Sequence, residues 1–255
     1  IYNNEIEWAR RLIQLGKHNN DVYRSHNMLH LAAQRGQAEI CGQLLDAGLS
    51  IHRKNEPEHG HGRTPLQFAI QSGSVDTAKL LLARGAKLTP ADSAKENGSP
   101  RTPLVSLAIT SGNPVMLQFL IDQGEPADDP GLLVNAIRAV HDPEKRKQFV
   151  ELLLPAGGEL KFQDGQWDPF ADAIHTGDFE LLRLLEDKLP FKYSEPHLRA
   201  AVMSGNVDIC RHIVSQGARA PANPPVGQEL MRFALVDVRS PELVDLIAEA
   251  GEAKK

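Results

Sequence analysis

TPLQFAIQSGSVDTAKLLLARGA, residues 64–86, contains the local pattern from which the architecture of the whole chain follows. Thr64 and Pro65 form a helix-start signal, because a threonine hydroxyl caps the first turn and proline supplies the backbone angle that this turn needs. A short apolar helix then leads to Gly73, which permits a tight turn, and a second apolar segment at helical spacing leads to Gly85. The stretch therefore predicts two short antiparallel helices.

The same unit recurs along the chain, since a leucine-rich helical segment closed by glycine returns about every 34 residues. The closing positions are Gly16, Gly48, Gly85, Gly124, Gly157, Leu189 in the place of a glycine, Gly217 and Gly251. We expect a single repeat domain over residues 1–255. Its approximate units are a half repeat at 4–16 and full units at 26–48, 62–85, 100–124, 130–157, 166–189, 194–217 and 227–251.

These units resemble the ankyrin repeat, a 33-residue unit with the signature Thr-Pro-Leu-His-x-Ala at its first helix. The signature appears as TPLQFA at 64–69, as NMLHLA at 27–32 and, with one inserted residue, as TPLVSLA at 102–108. The resemblance extends over about residues 4–251. It implies an all-α fold, an ankyrin-repeat solenoid of stacked helix-turn-helix units with hairpin-like loops.

Two features of single units follow from the resemblance. His30 matches the histidine of the signature, which implies a structural hydrogen-bonding role. The unit at 131–158 departs from the pattern, because it lacks Thr-Pro and carries extra residues around His141 to Lys147.

The resemblance also implies recognition of another protein through the concave face of the array and its hairpin tips. The variable positions lie just before each internal glycine and just before Thr-Pro. The candidate partner-binding residues are Arg35, His59, His61, Arg63, Gln71, Arg101, Arg138, Trp167, His175 and Met203. Trp167 is either an interface anchor or a side chain that packs over its own hairpin. We expect the four arginines to form a basic strip along the first half of this face, with Asp164, Asp168 and Asp172 near the second half.

The cysteines and the histidine cluster are the remaining side chains that could react or bind a metal. Cys41 and Cys210 occupy the same position of their units, five units apart, so we expect two buried thiols with no bridge between them. Unpaired cysteines favour a reducing compartment. The loop from His52 to His61 contains imidazoles and carboxylates that suit zinc or nickel, but its spacing matches no closed structural site, and we expect no metal there.

Composition and the absence of known motifs exclude several classes of function. The net charge of −5 gives no reason to bind the phosphate backbone of nucleic acid, and no apolar run is long enough for a membrane helix. Phosphate-binding glycine loops, nucleophile elbows and zinc-protease motifs are absent from the sequence, so we expect no enzymatic activity and no cofactor. We expect a monomer when free, located in the cytoplasm, or in a bacterial periplasm if a segment before Ile1 has been lost.

Three functions stay open from sequence alone. The first is a non-enzymatic protein-binding scaffold or adaptor. The second is an inhibitor of a partner enzyme or toxin, such as a bacterial immunity protein. The third is a metal-dependent enzyme that uses the loop from His52 to His61.

Overall fold

The structure is a computed structural model that describes residues 11, 14, 28–55, 62–88, 104–156, 168–189, 191–220 and 224–252. Within these residues it contains fourteen α-helices and no strand. The helices are α1 (Met28–Gln34), α2 (Ala38–Asp46), α3 (Pro65–Gln71), α4 (Val75–Ala83), α5 (Leu104–Ser111), α6 (Pro114–Asp122), α7 (Pro130–Ala139), α8 (Pro143–Ala156), α9 (Pro169–Thr176), α10 (Phe179–Lys188), α11 (Glu195–Ser204), α12 (Val207–Ser215), α13 (Pro224–Val236) and α14 (Pro241–Glu252).

The helices form seven consecutive pairs that stack as a solenoid. Each odd-numbered helix is the first of its pair and packs on the first helix of the next pair, from α1 on α3 through to α11 on α13. Second helices also pack on second helices, as α2 does on α4 and α12 does on α14. This architecture confirms the predicted all-α solenoid. The predicted half repeat at 4–16 lies outside the described residues except for Arg11 and Gln14.

The first helices begin at caps that the sequence encodes locally. Thr64 caps α3, its hydroxyl accepting the backbone N–H of Gln67, while the Gln67 side chain accepts the backbone N–H of Thr64. In α7 the pair Asp129-Pro130 replaces Thr-Pro, and the Asp129 carboxylate accepts the N–H of Gly131 at 2.8 Å. Asp129 therefore takes the capping role of the threonine that this unit lacks, because aspartate caps a helix as well as threonine does.

Glycines in the left-handed region make the turns of most of the described units. Gly36, Gly73, Gly112, Gly177 and Gly205 have φ between 65° and 71° and separate the two helices of their pairs. The closing glycines that the structure describes in this conformation are Gly48, Gly85, Gly124 and Gly217, with φ between 84° and 96°. A side chain with a Cβ is strained at such angles.

The last units depart from this rule. Leu189 ends α10 with an extended φ of −125°, so no left-handed turn closes that unit at this residue. Gly251 lies inside α14, so it does not close the seventh unit as the sequence pattern predicts. Arg239 stands two residues before α14 with φ 57° and takes the turn position that glycine fills in five of the other units.

The core runs between consecutive pairs and is mainly aliphatic. Cys41 and Cys210 are fully buried and free, as predicted. Burial raises the pKa of Cys41 to about 12 and that of Cys210 to about 11, because a thiolate is poorly solvated there. His30 is also fully buried, and its Nε2 lies 2.9 Å from the carbonyl oxygen of Arg53, which confirms its structural role.

The fourth pair contains a buried arginine that the sequence pattern does not predict. The extra residues of this unit lengthen its second helix, α8, which begins at Pro143 and has 14 residues. Arg146 in its first turn donates through Nε to the carbonyl of Val140 at 2.8 Å and through Nη2 to that of His141 at 3.3 Å. Its Nη1 forms an ion pair with Asp178 at 3.0 Å. The guanidinium thus donates to the carbonyl groups of a turn that lacks glycine, and its ion pair joins the fourth helix pair to the fifth.

Candidate functional site

The exposed ends of the first helices form a continuous surface, which we call the first-helix face. It contains the residue two positions before each internal turn glycine, Arg35 beside the first of these residues, and the matching residues of the irregular units. Its members are Gln34, Arg35, Gln71, Thr110, Arg138, His175, Met203 and Leu235, all of which are exposed. Because first helices pack on first helices, these side chains follow one another along the stack.

The chemical character of this face changes along the array. The first five units contribute polar and basic side chains, from Gln34 to His175. The last two contribute apolar ones: Met203 is 51 % exposed, Leu235 58 % and Val236 55 %. Exposed apolar side chains that lie side by side are typical of interaction surfaces. The sequence pattern points to Met203 but not to Leu235 or Val236, because the seventh unit lacks the glycine that sets the register.

The other predicted contact residues fall into two groups. Arg63 donates to the side chain of Gln71, and the backbone N–H of Asn55 donates to the carbonyl of Arg63 at 3.0 Å, which ties the loop before α3 to the preceding unit. His175 lies exposed in the last turn of α9. His59, His61, Arg101 and Trp167 lie outside the described residues, so their grouping with the first-helix face stays a prediction.

Arg138 is held in a defined direction by an acid of the next unit. Its Nε donates to Oδ1 of Asp172 at 2.8 Å. The Asp172 side chain is only 15 % exposed, whereas that of Arg138 is 61 % exposed. Oδ2 of Asp172 is buried without a hydrogen-bond partner among the described residues. Arg138, one arginine of the predicted basic strip, is therefore paired with Asp172, one of the acids predicted near the second half of the face.

An open groove of about 360 Å³ lies beside this arginine, between α5 and α7. Its polar lining consists of Ser106, Asp129, Asn135 and Arg138, and its apolar lining comes from Leu132 and Val134. Both apolar residues are nearly fully buried, so they form the floor of the groove.

A polar network joins the fifth and sixth units. The backbone N–H of Ser194 donates to Nδ1 of His197 at 3.1 Å, so the ring proton resides on Nε2, which donates to Asp168 at 2.6 Å. Asp168 also caps α9 by accepting the N–H groups of Phe170 and Ala171. Burial by itself raises the pKa of the Asp168 carboxyl, but the hydrogen bond from His197 and these two N–H groups together lower it below its ordinary value.

A second carboxylate and histidine pair connects the same two units. The carboxylate of Glu186, near the end of α10, accepts a hydrogen bond from Nε2 of His212 at 2.7 Å and another from the hydroxyl of Tyr193. Burial and the neighbouring Glu186 carboxylate raise the pKa of the Tyr193 hydroxyl. Phe191, which is 39 % exposed, stacks on Phe170 with ring centroids 3.6 Å apart. One local signal in the sequence points to this junction: His197 follows Ser194 by three residues and stands where the Glu or Gln of a capping box normally lies.

No metal-binding group is found among the residues that the structure covers: nowhere in them do three His, Cys, Asp or Glu side chains come together in a suitable cluster. His52 is exposed in a turn, and the rest of its predicted cluster, Glu56 to His61, lies outside that part of the chain. None of the described helices is both long and apolar enough to cross a membrane.

Comparison with known proteins identifies the repeat. Residues 1–92 match the family model for ankyrin repeats, with three copies. The chain is 29 % identical over 123 residues to a homolog of transient receptor potential cation channel subfamily A member 1 from Caenorhabditis elegans, covering 48 % of this chain and 9 % of that protein. It is 44 % identical over 63 residues to cyclin-dependent kinase 4 inhibitor B from Bos taurus, covering 25 % of this chain and 44 % of that protein.

The likeness of fold extends over most of the chain. The ankyrin repeat domain of human ASB11 superimposes with a TM-score of 0.67 at 19 % identity, covering 90 % of this chain and all of that one. This match shows the ankyrin-repeat fold. The chain spans less than two thirds of the length of either curated relative.

Proposed function

Because the chain is an ankyrin-repeat protein, we propose that it is a non-enzymatic scaffold that binds a partner protein through the concave first-helix face and the hairpin tips. Ankyrin repeats indicate a protein-interaction scaffold. The observation that carries the finer proposal is the continuous row of exposed side chains on the first helices, which ends in the apolar residues Met203, Leu235 and Val236.

The surface chemistry of the second helices supports this choice of face. Several of their exposed charges are engaged within the array: Arg84 pairs with Asp46 at 2.7 Å, and Arg211 pairs with Asp208 and Glu242. Exposed ion pairs of this kind are well solvated and contribute little to stability or to a hot spot. The apolar end of the first-helix face offers the larger gain on burial.

A second candidate, an inhibitor of a partner enzyme, has one observation in its favour. The bovine relative that is 44 % identical over 63 residues is by name a kinase inhibitor. An inhibitor would use the same first-helix face, with the partner's active site as its target. Neither relative named above is a bacterial immunity protein.

Two matched triple variants test the face. The first carries Arg35→Glu, His175→Glu and Met203→Asp on the first-helix face, and the control carries Lys79→Glu, Arg183→Glu and Val115→Asp on second helices. Affinity purification with quantitative mass spectrometry identifies partners of the wild-type chain, and titration then measures their binding. We expect the first variant to weaken binding at least tenfold, because a hot-spot residue contributes about 2 kcal/mol or more.

The control should bind normally, and both variants should melt close to the wild-type temperature. Lys79 lies over the ring of Phe119 and Arg183 over that of Phe179, so the control loses only two exposed cation–π contacts. Loss of binding in the control alone would assign the partner to the second-helix side and overturn the proposal.

A further inference from the structure

We propose that the groove between α5 and α7 binds a peptide segment of the partner that carries both a carboxylate side chain and a cationic side chain. This inference rests on the proposed function and adds the chemistry and direction of the bound segment. Its evidence is the pair of opposite charges at the two ends of one groove, Arg138 and Asp129.

The Arg138 end is built to receive a carboxylate. Asp172 takes the Nε hydrogen, so the guanidinium is held from one edge. No residue in the described part of the chain accepts from its two terminal NH₂ groups, and the side chain is 61 % exposed. A guanidinium oriented in this way presents a planar pair of donors, which matches the two oxygens of a carboxylate.

The Asp129 end has the opposite polarity. Oδ1 of Asp129 is used by the helix cap, while Oδ2 has no hydrogen-bond partner within the described ranges, and the residue is exposed. A lysine or arginine of the partner therefore finds an acceptor there.

Asp129 stands at the N-terminal cap of α7 and Arg138 stands in its last turn, nine residues later. The order of the two charges along α7 therefore gives the groove a polarity.

The middle of the groove suits a peptide backbone. The hydroxyl of Ser106 and the amide of Asn135 lie 3.5 Å apart, at the limit of a hydrogen bond, and both line the groove above a floor of Leu132 and Val134. Such weakly engaged polar groups can donate to and accept from main-chain amides. The opposite charges at the ends then fix which way the segment runs, because the reversed direction places like charges together.

The probe is a library of random heptapeptides displayed on phage and selected against the wild-type chain. We expect the selected peptides to share an acidic residue and a basic residue at a constant spacing, always in the same order. A synthetic peptide with that pattern, labelled with fluorescein, then measures affinity by anisotropy. Arg138→Gln and Asp129→Asn should each weaken its binding about tenfold, and asparagine keeps the helix cap.

A charge exchange separates direct pairing from an effect on folding. Replacing the acidic residue of the peptide by arginine should abolish binding to the wild-type chain and restore it to Arg138→Glu. Arg138→Gln leaves the poorly exposed carboxylate of Asp172 unpaired, so the double variant Arg138→Gln with Asp172→Asn is measured beside it, and thermal melting checks both. Arg183→Gln, on α10, is the matched arginine control and should bind normally.

Failure of this inference is distinguishable from failure of the proposed function. The groove proposal alone would be overturned if the selected peptides lack the charge pattern and if their binding is unaffected by Arg138→Gln but lost in the first-helix triple variant. Peptides insensitive to every change on the first-helix face would overturn both. A library that yields no binder to the wild-type chain also counts against the groove as a peptide site.

Discussion

At the scale of single residues, the largest departure from a regular repeat is Arg146. Its side chain is 9 % exposed, and it pairs with Asp178, whose side chain is 16 % exposed. Asp178 also caps α10 by accepting the N–H of Leu181 at 3.0 Å. A buried ion pair adds little over an apolar pair, but removal of one partner leaves the other charge uncompensated.

We therefore expect Arg146→Met to lower the free energy of unfolding by about 3–5 kcal/mol in urea titrations. Adding Asp178→Asn should recover part of this loss, because asparagine removes the unpaired charge and keeps the cap. Lys147→Met, at the exposed neighbouring position, is the control and should change stability by about 0.5 kcal/mol or less. A cost for Arg146→Met below about 1 kcal/mol would mean that water reaches this ion pair.

The sequence predicts the short-range chemistry of this molecule and misses contacts between distant residues. Glycine spacing and Thr64-Pro65 predict the helix pairs, because turns and caps depend on neighbouring residues. The role of Arg146 depends on a carboxylate 32 residues away, and nothing in its own surroundings distinguishes it from the exposed basic residues of α8. Arg138 is predicted as a contact residue and Asp172 as an acid near the second half of the face, but the ion pair between them is found only in the structure.

At the scale of elements, the junction between the fifth and sixth units contains two carboxylate and histidine hydrogen bonds. Asp168 to His197 joins α9 and its cap to α11, and Glu186 to His212 joins α10 to α12. These bonds tie first helix to first helix and second helix to second helix, so this junction is fixed on both sides of the solenoid.

The Asp168 bond makes a pH-dependent contribution to stability. Its folded-state pKa is lowered below the unfolded value of about 3.9, so the stabilisation is present above that pH and is lost as pH falls through the folded-state value. Asp168→Asn keeps a cap but removes the charge. We expect wild type to exceed this variant by about 1 kcal/mol in urea titrations from about pH 5 to 7, a modest figure because Asp168 is 40 % exposed and water screens the pair.

Below about pH 4 the difference should shrink, because protonated Asp168 no longer accepts strongly from His197. Asp187→Asn, at an exposed position of the same unit, is the control and should show no such pH dependence beyond its surface ion pair with Lys188. A wild-type advantage that grows on acidification would mean that folding raises the pKa of Asp168 and would contradict the prediction.

At the scale of the whole molecule, the main helix contacts of the described array join a helix to its own partner or to a helix of an adjacent unit. The stability of such an array is a sum of unit and interface contributions, so one end can open while the other stays folded. The two cysteines report on this directly. Cys41 in α2 lies near one end, Cys210 in α12 lies near the other, and both are fully buried.

Labelling of these thiols by a disulfide reagent should therefore reveal local opening at each end. Burial raises the pKa of both thiols and blocks the reagent, so the native protein should react only through opened states.

Leu243→Ala in α14 removes a fully buried side chain from the helix that packs on α12, at a cost of about 2–5 kcal/mol. It should accelerate labelling of Cys210 at least tenfold and leave Cys41 unchanged, with the sites separated by mass spectrometry. Leu81→Ala in α4, which packs on α2, should do the reverse. Equal acceleration of both thiols by either change would mean that the array unfolds as one cooperative body and that its units are coupled over the full length of the stack.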